Sequence, residues 1–470
     1  MGSGNRAPGR PQSQGFAARL PSSWCTLVAA TLGSASRGSI PSSLQFTEAY
    51  MVRLGENDTG QSCPVLRACV QISIQGGNGM AATADAIIIG TGVIGTALSY
   101  ELAKAGYRTV SVDRNAQAGH GSTAGSCAII RMHYSTLDGT AFAWEGYHYW
   151  RDWADYLEAP GGEDLARFIE CGCLVMKTDA NGQLEKHMKY SGELDCPFEV
   201  WSPERIAERL PIYALDSFAP AKRLDDPHFG ERNGGTLRGG VFWPRAGYVT
   251  DPALSSQNLA DAAARKGAGF RHRAEVTKIL TEGGRVSGVR LADGDALHAP
   301  VVINVAGPAS SRINRMAGVT GDMTIETRAL RQEVVHVPAP EGFDFEANGT
   351  IVSDSDIACY CRPEHGNHIL VGSEDPECDP HQWVEDDTNY DREFTDQWTT
   401  QAMRYAQRVP TLGIPGRTRG VVELYVASTD WIPIYDKSAL PVYYMACGTC
   451  GNQYKNAPIA GKMLAALVVY

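Results

Sequence analysis

The chain has 470 residues, 43% of them hydrophobic, and a formal net charge of −11, enough apolar material for two or three domain-sized units. A sequence pI near 5.5 leaves no basic footprint, so nucleic acid is excluded as an expected partner and an anionic ligand needs a local cluster of cations. No apolar run reaches the roughly 20 residues of a membrane-spanning helix, and no membrane span is expected.

Residues 1–80 differ in character from the rest of the chain: they are rich in Gly, Ser, Pro and Arg, and their first acid is Glu48. Arg6, Arg10, Arg19 and Arg37 in this Ser-rich stretch have the composition of an organellar transit peptide. The alternative is a disordered extension with no folded role, Met80 being a natural start five residues before the first strand. The expected location is the cytoplasm, or the mitochondrion if the leader targets the chain.

The strongest signal lies at 85–113. A short apolar run, 86–89, leads into Gly90, Gly92 and Gly95 at G-x-G-x-x-G spacing, and a helical pattern over 93–104 comes next, with Gly106 as its stop. A second strand, 109–112, delivers Asp113 about twenty residues beyond the glycines, where a carboxylate accepts the hydroxyls of an adenosine ribose and repels a 2′-phosphate. Strand, turn, helix, strand and acid in register predict a site for FAD or NAD, with the pyrophosphate on the helix start.

The loop after Asp113 carries Gly119, Gly121, Ser122, Thr123, Gly125 and Ser126, then turns apolar at 128–130 and takes Arg131, His133 and Tyr134 inward. An interior cation needs an anion. Residues 141–157 predict an aromatic helix with Tyr149, Trp153 and Tyr156 on one face. Strands and a helix alternate over 163–204, with a helix start at Ser202-Pro203-Glu204. The nucleotide fold is expected to resume near Gly239, with a helix over 253–266, a hairpin of 274–280 and 286–291 about Gly283-Gly284, and a buried parallel strand 301–305 ending in Ala306-Gly307. Antiparallel strands are expected at 333–337, 357–361 and 369–372. Residues 386–408 predict a polar surface helix, and strands 420–427 and 441–446 precede a last helix from Pro458. The twelve cysteines have no framework spacing, as expected of reduced thiols. Cys171/Cys173 and Cys359/Cys361 suit core packing, Cys447 and Cys450 form a C-x-x-C pair that could be read as a redox dithiol, and no metal is expected.

In this order, DAIIIGTGVIGTALSYELAKAGYRTVSVDR, GSTAGSCAIIRMHYS, GYVTDP, VVINVAG, CYCRPEHGNHILVG, ELYVASTDWIPIYD and CGTCGNQYKNAPIAGKMLAAL resemble the FAD-dependent D-amino-acid oxidase superfamily, in its sarcosine oxidase, glycine oxidase and dimethylglycine dehydrogenase-like branch. The resemblance covers about 84–469. It implies an α/β fold in which a Rossmann-like FAD-binding domain (81–140, 239–328 and 420–470) interleaves with an α+β substrate domain (141–238 and 329–419) carrying a mostly antiparallel sheet. It implies FAD at Gly90, Gly92, Gly95, Asp113, Arg114, Ser122, Thr123, Val276, Ala306, Gly307, Gly448, Gly451 and Asn452, and the departures from the branch at Glu423 and His120 make non-covalent FAD the expectation.

By the same resemblance, Arg131 and Lys455 match residues that bind a substrate carboxylate, and Tyr425 matches an active-site tyrosine. The implied function is oxidation of the C–N bond of a small amino acid or amine, such as sarcosine or glycine, to an imine by hydride transfer to flavin N5. The acceptor is O₂ or an electron-transfer protein. A dehydrogenase passing electrons to a protein and a non-catalytic FAD-binding assembly factor are the alternatives. The competing reading of the site pairs Arg131 with an internal Asp and leaves Lys455 solvated. The sequence departs from the branch in carrying Glu423 where some members attach flavin through a cysteine, in the position of His120, somewhat early for a covalent histidine, and in lacking a lysine in PEHGNHILVG.

Overall fold

A computed structural model describes residues 84–159, 161 and 164–470; the expectations for the leader 1–80 fall outside the described residues. Two large sheets organise the rest. The first has six strands in the order Ile434–Lys437, Tyr443–Cys447, Val301–Asn304, Ala86–Ile89, Thr109–Val112 and Gly269–Arg271. All neighbours run parallel except the edge strand Ile434–Lys437. Parallel strands must be covered on both faces, which is why 86–89 is apolar at every position and fully buried. The helix Val93–Lys104 packs against Pro252–Arg265 and the final helix Ala457–Val469. Gly461 allows the last contact, since a Cβ there would lie 2.7 Å from the backbone of Ala97.

The second sheet has nine strands and is antiparallel but for one pair, Ile351–Asp354 against Cys173–Met176. Two segments expected beside the nucleotide fold hydrogen-bond here instead: Gly240–Trp243 pairs with Cys173–Met176, and Gly420–Ser428 lies along Thr327–Pro338. Both are strands whose partners lie far away in sequence, so no local pattern assigns them to a sheet. A three-stranded sheet extends the hairpin of Val276–Glu282 and Arg285–Leu291 by Ala296–His298. Its turn, Gly283-Gly284, has φ of +58° and +77°, the left-handed pair that a two-residue hairpin loop requires.

Two helices differ from expectation. The aromatic helix is Leu137–Arg151, begun by Thr136, whose hydroxyl accepts from the Gly139 N–H at 3.1 Å, and it breaks at Asp152 before a single turn Trp153–Tyr156. The polar helix is Asp396–Arg408 rather than 386–408, because Thr395 caps it. Nor does it lie on the surface with its polar residues outward. Arg408 is fully buried between Asp354 and Asp356 at 2.6 and 3.0 Å, and Arg404 pairs with Asp379 at 2.7 Å. Paired charges let a polar sequence enter a core. Among the described residues no helix is long and apolar enough to cross a membrane.

Candidate active site

The glycine turn is fixed by backbone contact. Gly90 has φ +110°, and a Cβ on it would stand 2.4 Å from the Val305 carbonyl oxygen; one on Gly95 would stand 2.1 Å from the Gly90 carbonyl oxygen. The helix beyond it has no side-chain cap at Gly92. Its first N–H, on Val93, bonds the Thr123 hydroxyl at 3.1 Å. The other N–H groups of the first helical turn, behind a glycine turn, make a cradle for phosphate. It opens into a cleft lined by Gly90, Gly92, Asp113, Arg114, Ser122, Thr123, Val276, Ala306 and Gly307, together with Arg312 and Asp387. Gly95 lies outside this lining, its role being close packing.

The acid at the end of the second strand is already engaged. Asp113 accepts from the Thr91 N–H and hydroxyl at 2.7 and 2.9 Å on one oxygen and from the Asn115 N–H at 2.8 Å on the other. It therefore ties the glycine turn to the second strand, and a carboxylate keeps lone pairs for a ribose beyond these three bonds. Arg114 pairs with Asp387 at 2.9 Å, and Arg312 joins the same carboxylate at 3.1 Å. The donors, glycines and acid fit the ADP half of FAD.

Gly448, Gly451 and Asn452 stand apart from this cleft, in the loop between the last parallel strand and the last helix. A Cβ on Gly451 (φ +66°) would meet the Tyr425 ring at 2.2 Å, so Tyr425 closes over this loop from the nine-stranded sheet. Asn452 offers its carbonyl oxygen to the Lys455 ammonium.

Lys455 is 2% exposed and donates at 2.7 Å to the Tyr134 hydroxyl. Arg131 lies 4.7 Å from the centre of the same Tyr134 ring and donates to the His133 carbonyl at 2.9 Å. Tyr134 thus brings the two cations together. Among the described residues neither forms an ion pair with a carboxylate, so Arg131 has no internal Asp and Lys455 is not solvated. Burial, and then the charge of Arg131, hold the Lys455 amine well below its usual range. His133 is buried against the Trp243 ring at 4.6 Å and is held well below the usual imidazole range by burial and Arg131.

Three features escape a reading of the sequence. The Trp150 indole donates at 2.7 Å to the Lys455 carbonyl, and Gly146 lets that helix approach, since a Cβ there would stand 2.9 Å from the same oxygen. The Tyr360 hydroxyl lies 3.5 Å from the Cys127 sulfur, joining the sheet to the loop of 119–127. Glu423 fills the space beside Gly125 and accepts from Tyr390 at 3.1 Å. Cys447 and Cys450 are free, buried thiols; Cys450 Sγ sits 3.4 Å from the Ser428 hydroxyl, and burial pushes both thiols up. Cys173, Cys359 and Cys361 are buried in apolar clusters.

The profile of the DAO family, FAD dependent oxidoreductase, matches residues 85–467. Glycine oxidase of Geobacillus kaustophilus is 24% identical over 299 residues, 62% of this chain and 69% of the relative. N-methyl-L-tryptophan oxidase of Yersinia pestis is 26% identical over 221 residues, 47% of this chain, which spans about half (52%) of that relative. The crystal structure of L-proline dehydrogenase from P. horikoshii superposes with a TM-score of 0.68 at 19% identity, covering 83% of this chain and 94% of that one.

Proposed function

Since the chain belongs to the DAO family of FAD-dependent oxidoreductases, we propose that it oxidises the C–N bond of a small amino acid, of the glycine or N-methylglycine kind, to an imine. The enzyme uses FAD. One observation carries the choice of an amino acid: Arg131 and Lys455 meet around Tyr134, and among the described residues neither forms an ion pair with a carboxylate. A guanidinium and an amine without an acid partner in a desolvated site favour an incoming carboxylate, which also stabilises the protonated form of the amine, over a neutral ligand.

In this reading Gly90, Gly92, Asp113, Arg114, Ser122, Thr123, Val276, Ala306 and Gly307 would hold the ADP half of the cofactor, and Gly448, Gly451 and Asn452 would contact the rest of it. Glu423 stands where some family members carry an attaching cysteine, and in this reading FAD is held non-covalently. Bound FAD supplies the acceptor for the hydride on the carbon next to nitrogen. Arg131 and Lys455 fix the carboxylate, Tyr134 holds both cations in place, Tyr425 roofs the loop, and the Trp243 and His133 rings exclude water. Orientation and a free amine lone pair then dominate the barrier. The interleaved division into a FAD domain and a substrate domain goes with this reading, as does an acceptor that is O₂ or an electron-transfer protein; recovery of reduced enzyme in air decides between them. Arg131→Met tests the carboxylate role: KM for amino acids should rise at least about tenfold with FAD retained, whereas unchanged KM removes the assignment.

A further inference from the structure

Cross-strand pairing fixes which side chains share a face of the nine-stranded sheet. Val241, Val175, Ser353, Tyr360 and Gly372 form one row across five strands. Val175 and Val241 pack in the same core as Ile88 and Ala97 of the nucleotide fold. The alternate residues Leu174, Val352, Cys361 and Val371 pack with Trp398 and Tyr405 of the helix on the other side. The row therefore faces the cofactor side. Gly372 belongs to it because the Tyr360 ring occupies the space of a side chain there, 2.3 Å from a built Cβ.

Glu374 lies just past the end of the strand His368–Ser373, and its carboxylate reaches Ser353 of the same row. One of its oxygens accepts from the Ser353 hydroxyl at 2.6 Å; the other accepts no hydrogen bond from the described residues. Neither the cofactor cleft nor the Arg131–Lys455 pair accounts for a carboxylate here. Burial pushes Glu374 up to about 7, with Asp354 adding to the rise and Ser353 and Arg131 opposing it. Ser353, which holds Glu374, lies in the strand that pairs with Cys173–Met176, and the Cys173 thiol feels the charge of Arg131 as well as that of Glu374. The remaining charged and titratable neighbours are committed: Asp354 to Arg408, Asp375 to Gln332 at 3.0 Å, and the Cys359 thiol is buried.

An amino acid arrives with a protonated amine, and its nitrogen must lose a proton before its lone pair can assist loss of hydride. We propose that Glu374 receives the amine end of the substrate whose carboxylate is held by Arg131 and Lys455: it pairs with the ammonium and takes one proton, an N–H bond breaking and an O–H bond forming on Glu374, which leaves a neutral amine. This rests on the carboxylate reading above. A carboxyl group titrating near neutrality is matched to that exchange, and its charge and that of Arg131 set the two ends of a zwitterion site.

The test uses the FAD-loaded enzyme and Glu374→Gln, with acetate as a carboxylate lacking an amine and N-methylglycine as the substrate. Expected for Glu374→Gln are full FAD content, an acetate Kd from flavin absorbance within twofold of wild type, and kcat/KM for N-methylglycine at pH 7 lowered at least tenfold. The acid limb of its pH profile moves upward toward the substrate's own amine, and Glu374→Asp restores part of the original limb. An unchanged limb and unchanged kcat/KM overturn the proposal. So does a uniform loss of acetate binding, FAD and kcat/KM with the limb unmoved, which marks a structural role. If acetate does not bind wild type, the carboxylate reading falls and this proposal with it; if acetate binds and the limb ignores Glu374, only this proposal falls.

Discussion

Lys455→Met separates a ligand-binding lysine from a structural one, because the two roles predict opposite balances of stability and affinity. In the free protein the amine donates to the Tyr134 hydroxyl and the Asn452 carbonyl and meets no carboxylate among the described residues. Methionine keeps the length and fills the space, so the loss is two hydrogen bonds worth about 1 kcal/mol each, offset by no longer burying an amine. The Tm should stay within about 5 °C of wild type. The sign with pH comes from the lowered pKa of Lys455, caused first by burial. A lysine that gives up its proton on folding costs most at low pH, and the cost vanishes above the unfolded value of about 10.4, so the variant gains relative stability as pH falls. Affinity moves the other way. A buried charge-assisted contact to a carboxylate is worth about 2–5 kcal/mol, so acetate Kd and KM for N-methylglycine should rise about 30-fold to about 4,000-fold. In wild type, acetate binding restores the ammonium and takes up a proton, so its affinity should decline as pH rises through the lowered value, and that dependence should vanish in the variant. The assays are thermal unfolding followed by flavin fluorescence and acetate titration followed by flavin absorbance. An acetate Kd equal to wild type at every pH refutes the ligand-binding role.

Gly95→Ala sets a methyl group against the Gly90 carbonyl, backbone against backbone, and should cost about 1–3 kcal/mol and yield colourless protein; a yellow variant with unchanged Tm contradicts the cradle. Arg408→Ala strands Asp354 and Asp356 in a core and should cost about 3–5 kcal/mol in denaturant unfolding. Native alkylation read by mass spectrometry should modify Cys378, the exposed thiol among the described cysteines, before the buried Cys447 and Cys450; Cys450→Ser should keep activity, and its loss would revive a dithiol role.

The parts of the fold legible in the sequence are those in which the chain interacts with itself over short distances. Strand, glycine turn, helix and acid at 85–113 are specified by neighbours, and so is the Gly283-Gly284 hairpin. The sheet membership of 240–243 and 420–428 depends on partners elsewhere in the chain, and the same holds for the buried Arg404 and Arg408, whose acids lie 25 to 54 residues away. Thr136 and Asp152 set the bounds of the aromatic helix, and a cap outweighs apolar periodicity there. In the site, Arg131 and Lys455 stand out in the sequence as the two inward-going cations, but their meeting at Tyr134 spans 321 positions between Tyr134 and Lys455. Glu374 leaves no motif at all; its bond to Ser353, 21 positions away, sets it on the cofactor side. The spacing of Asp113 points to ribose, and its bonds to Thr91 add a second duty that spacing cannot express.

The most direct measurement is anaerobic titration of the yellow protein with N-methylglycine and, in parallel, with ethylmethylamine, an N-methyl amine lacking the carboxylate. N-methylglycine should bleach the flavin absorbance, and the amine should do so at least about 100-fold less efficiently, in line with a site built around a charged group. Equal bleaching by both, or none by a panel of small amino acids in protein whose flavin is still reduced by light, would contradict the assignment of an amino-acid substrate.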